Sequence, residues 1–297
     1  MERPKVTEAD IAYYNAGAKT ITTESSVMIS SSPYLNNASL RQLIAQEMLR
    51  RNGPDVSITA YIPQVFEIMA SLENMPRVAQ LFEEEKKRLP EFREWLNERD
   101  LFDIKGEDVA HCAPGTLGAK MHDFIVNSGF NIDLFYQGMK VDSDLTFYFK
   151  QAALTHDVEH MITGFGPNHG GEIALIVANQ HSRAKYFCPE LAMFFNRFQT
   201  YLRAKALMKN ALHYPEAAVM IYDAEYWGMT QGRNWKYPLL CVNWKRHLDK
   251  PIAQIREELG INPVIPDGLF DKSNALVDEG VMSGEKDLPY AAKEAAE

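Results

Sequence analysis

The sequence predicts an all-α protein: a multi-helix bundle with a metal site between two helices joined by a glycine-rich turn. Three observations carry that prediction. Apolar residues recur at three- and four-residue spacing along most of the chain, while alternating strand patterns are few. No segment repeats at a fixed period. The pentapeptide His156-Asp157-Val158-Glu159-His160, followed past a glycine-rich turn by Glu172, sets metal-binding side chains on two successive helices.

The elements follow in chain order. The first 33 residues give short helical hints over 8–19, then a Ser/Thr-rich lead-in. Asn37 or Ser39 caps a helix through Leu40, Leu43, Ile44 and Met48, which Asn52-Gly53-Pro54 ends. Helices are expected over 63–72 and 76–100, the second interrupted near Pro90. Its run Glu83-Glu84-Glu85-Lys86-Lys87-Arg88 reads as a solvated face. Pro114-Gly115-Thr116-Leu117-Gly118 turns into a helix carrying Met121, Phe124 and Ile125, stopped by Gly129. Asp144 reads as the cap of one helix running to residue 163. Glu172 opens its partner, with Ile173, Ile176 and Val177 apolar. Pro189 begins a long helix to about residue 209; helices over 213–228 and 236–247 follow. Pro251 starts the last, over 252–259, which Gly260 stops. The expected organisation is an N-terminal helical extension over 1–110, a metal-binding helical core over 111–265, and a flexible acidic tail over 266–297.

Bulk composition narrows the function. Of 297 residues, 46 % are hydrophobic, enough for a sizeable core. The 31 basic against 40 acidic residues give a formal charge of -9, which argues against nucleic acid as a partner. Cys112, Cys188 and Cys241 lie far apart, with no CxxC pair; this fits a reducing compartment. No signal or transit peptide is seen at the N-terminus, and no stretch approaches the roughly 18 apolar residues of a membrane span. The expected location is cytoplasmic.

On a helix, His156 and His160 stand one turn apart on one face, and Asp157 sits about 100° round the axis from His156. The turn 164–171 folds the chain back so that Glu172 completes the set. Leu145, Phe149, Ala152, Ala153 and Gly164 share the face of the two histidines, so that face is expected to meet a core. Ionisable groups placed there need a partner or a metal. The alternative is a hydrogen-bonded polar cluster without an ion. The HExxH peptidase pattern also spaces two histidines by four, but Asp157 is a methylene shorter than its glutamate. A His-Asp phosphohydrolase would use His122 and Asp223 as well, and leaves His160 and Glu172 unexplained.

The pattern His156-Asp157-x-x-His160, eleven residues, then Glu172 resembles the signature of the coenzyme Q biosynthesis protein 4 family. Gly115-Thr116-Leu117-Gly118 resembles the family's turn before a helix. Gly228, Gly232, Trp244, Pro251 and the stretch Arg256-Glu257-Glu258-Leu259-Gly260-Ile261 resemble its C-terminal part. Together these span about half of the chain, over 112–263. The resemblance implies an all-helical protein with a divalent metal, zinc foremost, held by His156, Asp157, His160 and Glu172. It implies a polyprenylated quinone precursor as substrate, in replacement of its C1 carboxylate by hydroxyl. It also implies other quinone biosynthesis enzymes as partners, met peripherally at an inner membrane. A non-catalytic lipid-binding scaffold with a structural metal is the alternative.

Zinc has no redox chemistry, so the oxidative step takes oxygen directly or uses iron or manganese, which the same ligands accept. Asn168, His169 and Arg183 are candidates to meet substrate or to support the ligands, with Lys185 beside them. Phe149, Met193, Phe194 and Phe198 are candidates for a lipid tunnel; apart from the resemblance, such a Met/Phe stripe is ordinary core. A homodimer is expected.

Overall fold

Short polar side chains and prolines fix where the helices start. The computed structural model describes residues 30–51, 62–128, 132, 136, 138–266, 268–270 and 273. Among these it has thirteen α-helices and no strand; Thr116 and Pro251 form an isolated bridge. After a single turn α1 (Pro33–Asn36), Asn37 caps α2 (Ala38–Leu49) by accepting from Leu40 N at 2.9 Å. α3 (Ile62–Ser71) follows. Asn74 caps α4 (Met75–Arg88), and Pro90 opens α5 (Pro90–Glu98), so the expected break near Pro90 is present. The one-turn α6 (Gly106–Val109) leads to α7 (Leu117–Ser128). Then come α8 (Asp144–Leu154), α9 (His156–Thr163), α10 (His169–Tyr186), α11 (Pro189–His213) and α12 (Pro215–Asn234). α13 (Ile252–Leu259) is last, ended by Gly260 in the left-handed region.

Several expectations change in detail. The single helix over 144–163 is two, because Thr155 breaks it. The threonine hydroxyl bonds back to the Gln151 carbonyl at 3.0 Å and the backbone relaxes to φ -100°, ψ -2°. Its cap is Ser143, whose Oγ accepts from Thr146 N. Asp144 instead pairs with Lys86 at 2.8 Å and Arg99 at 2.9 Å, tying α8 to the α4–α5 hairpin. The helix over 213–228 runs on to Asn234. No α-helix forms over 236–247: Pro238 and the extended residues Val242 and Asn243 leave two short 3₁₀ turns, Leu239–Cys241 and Trp244–His247. Residues 8–19, Asn52-Gly53-Pro54, Gly129 and most of 266–297 lie outside the described residues. At the start of that last segment, Phe270 and Ser273 are buried, and Ser273 Oγ accepts from Gly170 N at 2.8 Å.

α10 is the central element, with thirteen buried residues. α12 crosses it closely because its contact row is glycine: a Cβ on Gly228 would lie 2.3 Å from the Ala174 carbonyl oxygen, and one on Gly232 2.3 Å from that of Ala178. The main core surrounds this crossing and takes in Leu154, Val158, Ile162 and Phe165 from the ligand-bearing region. A second, aromatic core joins α4 and α5 to α8 and α11 through Phe82, Phe92, Trp95, Phe147, Tyr148 and Phe195. α2 and α3 attach to α11 through Leu40, Val65 and Tyr201, and through a buried ion pair, Glu47 Oε2 to Lys205 Nζ at 2.6 Å.

Two outcomes follow. Gly232→Ala forces α12 away from α10 and should cost about 1–3 kcal/mol, lowering Tm by roughly 2–4 °C per kcal/mol. A Tm within a degree of wild type would contradict the close crossing. Glu47→Leu leaves the Lys205 charge buried and should cost about 3–5 kcal/mol in denaturant unfolding, whereas Glu47→Leu with Lys205→Met recovers most of it. An equal loss in single and double variants would contradict the pairing.

Candidate metal centre

The break at Thr155 starts a fresh helix on the first of the two histidines. His156 and His160 lie one turn apart on α9, their rings nearly perpendicular at 89° with centroids 4.7 Å apart. Their Nε2 atoms face each other at 3.2 Å. Gly164 ends α9 at φ +80°, a backbone angle that other residues rarely adopt. The chain then doubles back over 165–168, and Asn168 Oδ1 caps α10 by accepting from Gly171 N at 2.8 Å. The return is tight: a Cβ on Gly171 would fall 1.8 Å from the Gly166 carbonyl oxygen. Glu172 therefore stands in the first turn of α10. Its Oε1 lies 3.1 Å from His160 Nε2 and its Oε2 3.5 Å from His156 Nε2.

One further contact sets the chemistry. His160 Nδ1 lies 2.8 Å from the carbonyl oxygen of Phe165, which can only accept, so Nδ1 carries a proton. The other ring nitrogen, Nε2, faces a carboxylate and a second imidazole. That arrangement is repulsive unless a cation, proton or metal, stands between them. The charges agree. Burial opposes ionisation of His156, but Glu172 outweighs it and, with Asp157 and Glu159, raises the group to about 9. Burial raises the Glu172 carboxyl, and His160 and His156 outweigh it, holding it well below the ordinary carboxylate range.

The donor set fits a divalent ion. Nitrogen and oxygen donors about 2.0–2.2 Å from a tetrahedral centre stand roughly 3.3–3.6 Å from one another, and the three separations here are 3.2, 3.1 and 3.5 Å. The cluster opens on one side: the side chain of His160 is 7 % exposed, Glu172 35 % and His156 47 %. Of the face expected to meet a core, Leu145, Phe149 and Ala152 are half-buried against the aromatic core, Ala153 and Gly164 are half-buried, His160 is buried and His156 is exposed. The buried face of α8 carries Phe147, Tyr148, Gln151 and Leu154.

The structure brings His156, His160 and Glu172 to one point. Asp157 is half-buried beside them and outside that closest set. Burial pushes its carboxyl up, against the pull of His156 and His160. Asn168 is occupied as the α10 cap. His169 is buried next to the cluster and held neutral, pushed down to about 4 by burial and, against Glu172, by Lys205 and Lys209. Arg183 does not reach the site: it is buried, donating to the Phe195 carbonyl at 3.2 Å and to Gln199 at 3.0 Å. It sits eleven residues beyond Glu172, about 16 Å along the helix. Lys185 donates to the carbonyls of Arg233 and Trp235. His122 and Asp223 do not join the cluster.

Of the aromatic candidates, Phe149 and Phe198 both meet Phe66 edge-on, with centroids at 5.8 and 5.1 Å, and Phe194 meets Phe149 at 6.4 Å. Met193 is 48 % exposed on α11. The sequence did not disclose the groups behind the ligands. Glu159, one residue before His160, accepts from Asn179 at 2.7 Å inside the core. Arg256 Nε donates to the Ile162 carbonyl at 2.7 Å, and Gln231 Nε2 to that of Thr163 at 3.0 Å, so the end of α9 is tied by side chains from α13 and α12. Their only signal was membership of the stretches around Gly232 and 256–261.

Comparison with known proteins accords with this fold and motif. A ubiquinone biosynthesis protein COQ4, mitochondrial, of Zygosaccharomyces rouxii is 29 % identical over 150 residues, which are 50 % of this chain and 41 % of that protein. The aligned part thus spans about two fifths of that relative. A crystal structure from Nostoc punctiforme PCC 73102, described as that of a ubiquinone biosynthesis protein, shares the fold with a TM-score of 0.52 at 22 % identity, covering 69 % of this chain and 89 % of that one. The family described as Coenzyme Q (ubiquinone) biosynthesis protein Coq4 matches residues 76–265. That match takes in more than half of the chain and every candidate ligand, and the protein belongs to the Coq4 family.

Proposed function

We propose that this protein acts in ubiquinone biosynthesis as a metal-dependent catalyst that replaces the C1 carboxylate of a polyprenyl benzoate-type precursor by hydroxyl. The observation that carries the reading is the convergence of His156 Nε2, His160 Nε2 and Glu172 at the open end of a half-buried apolar face. A bound divalent cation, zinc foremost and iron or manganese on the same donors, supplies Lewis-acid charge where negative charge develops.

The chain's own residues do the rest. Phe165 locks the His160 tautomer so that Nε2 is free to ligate. Glu172 balances charge and bridges the two imidazoles, and Asp157 stands by as the fourth ligand. Neutral His169 lies beside Glu172 without adding charge that would compete with a cation. Phe149, Phe194 and Phe198 offer apolar surface for the prenyl chain. In the reaction, the bond from C1 to the carboxylate breaks and carbon dioxide leaves; dioxygen supplies the hydroxyl oxygen, and its second atom leaves as water with two protons and two electrons from an external two-electron donor. Other quinone biosynthesis enzymes would hand over and take up the lipid at a membrane surface. No helix among the described residues is long and apolar enough to cross a membrane.

Metal content tests the ligand set. His160→Ala and Glu172→Ala should lose bound metal by elemental analysis, and Asp157→Asn should keep a reduced amount. Full metal in folded His160→Ala would end the assignment. Turnover tests the chemistry. Folded Glu172→Ala should lose conversion of a prenylated aromatic acid by about 100-fold or more, the scale of removing one electrostatic stabiliser. If that variant instead binds the lipid and sustains quinone production, the protein is a scaffold. Product formed with zinc alone under strict anaerobiosis would rule out the oxidative version.

A further inference from the structure

We propose that His111, Cys112 and Asp249 form a second divalent-cation site, of the zinc class, separate from the His156–His160–Glu172 centre. The three donor atoms converge on one another. Cys112 Sγ lies 4.0 Å from His111 Nε2 and 3.5 Å from Asp249 Oδ1, and His111 Nε2 lies 3.7 Å from Asp249 Oδ1. Sulfur about 2.3 Å and nitrogen or oxygen about 2.0–2.2 Å from a tetrahedral centre stand roughly 3.3–3.6 Å apart. The observed triangle is that face of a tetrahedron, slightly opened. Small rotations of two exposed side chains close it.

The geometry also excludes the other chemistry a Cys–His–Asp trio suggests. In a nucleophile relay the histidine meets the nucleophile through one ring nitrogen and the carboxylate through the other. Here the same atom, Nε2, faces both thiol and carboxylate. One nitrogen cannot relay a proton between them, but it can share a cation with them. The thiol now donates to Asp249 Oδ1. Metal binding would release that proton to solvent and join the thiolate to the ion. A thiolate among the donors favours zinc-like ions over magnesium or calcium.

The frame that holds the donors exists without the ion. Cys112 N is bonded to the Val109 carbonyl at the end of α6. The segment that follows is laced to the one carrying Asp249: Leu117 N to Lys250 O at 3.1 Å, Gly118 N to Leu248 O at 2.7 Å, and Ile252 N to Gly115 O at 3.3 Å. An ion would thus clip together two stretches 137 residues apart in sequence. The fourth position is open to water, since the side chains of His111 and Asp249 are 71 % and 79 % exposed and Cys112 borders a cavity of about 540 Å³.

Cobalt separates this site from the first, which has no sulfur ligand. Metal-stripped protein titrated with Co²⁺ should develop a thiolate-to-cobalt charge-transfer absorption. The band should persist in His160→Ala and vanish in Cys112→Ser. Zinc should displace cobalt and shield Cys112 from a thiol reagent, and Asp249→Asn should weaken that protection about tenfold or more. Asp249 is exposed enough to change without unfolding the chain. Two results overturn the proposal: no thiolate band in wild type, or a band undiminished in Cys112→Ser. Either leaves the Glu172 results untouched, so the two centres stand or fall separately.

Discussion

A carboxylate oxygen 3.1 Å from an imidazole nitrogen whose proton is committed elsewhere is the contact on which the rest of this molecule turns. Without a cation, proton or metal, between the two atoms it is unfavourable. Phe165 holds one His160 proton on Nδ1, so Nε2 meets Glu172 favourably only with a second proton or a metal ion between them. Folding holds the two groups together because both side chains stand on helices packed for other reasons. Glu172 begins the most buried helix of the molecule, and Val158 and Ile162 set α9 into the same core. Apolar burial thus holds in place a polar arrangement that would not persist alone.

Precision at the cluster comes from the short return between α9 and α10. Gly164 turns the chain, Asn168 restarts the helix, and Gly171 lets the Gly166 carbonyl approach. The far end of α9 is held from outside by Arg256 and Gln231, which take its terminal carbonyls. α13 and α12 are therefore part of the site's construction although neither carries a ligand. Gly228 and Gly232 serve the same end, since only a close crossing of α12 on α10 brings Gln231 to Thr163.

What the sequence disclosed follows from how local each feature is. Caps such as Asn37, breaks such as Pro90 and stops such as Gly260 act within one turn, and they are where the sequence placed them. The spacing of His156, His160 and Glu172 is equally local and predicted their convergence. The failures were of two kinds. Threonine is a weak helix former but no breaker by itself, and only the back-bond of Thr155 to Gln151 reveals the kink. Over 236–247 the apolar spacing suggested a helix, but Pro238 and the packing of Leu239, Leu240 and Trp244 into two cores prevailed. Arg183 and Arg256 show the limit. One arginine expected near an anion is spent on a core carbonyl, and another ties a helix 94 residues away. A sequence gives no sign of which carbonyl an arginine will find.

The N-terminal helices complete the picture. α2 and α3 precede the residues matched by the family, yet α2 places Glu47 against Lys205 on the core helix α11. Lys205 and Lys209 also reach His169 electrostatically and help keep it neutral beside Glu172. Burial disfavours the Lys205 charge, and Glu47 opposes that effect. Glu47 thus supports a positive charge close to the proposed metal centre. Such a charge weakens cation binding by simple repulsion, but its partner screens it at 2.6 Å. An ion pair of no net charge adds little repulsion at the cluster. On this account Glu47 on α2 adjusts the field around the His156–His160–Glu172 cluster while contributing no donor to it.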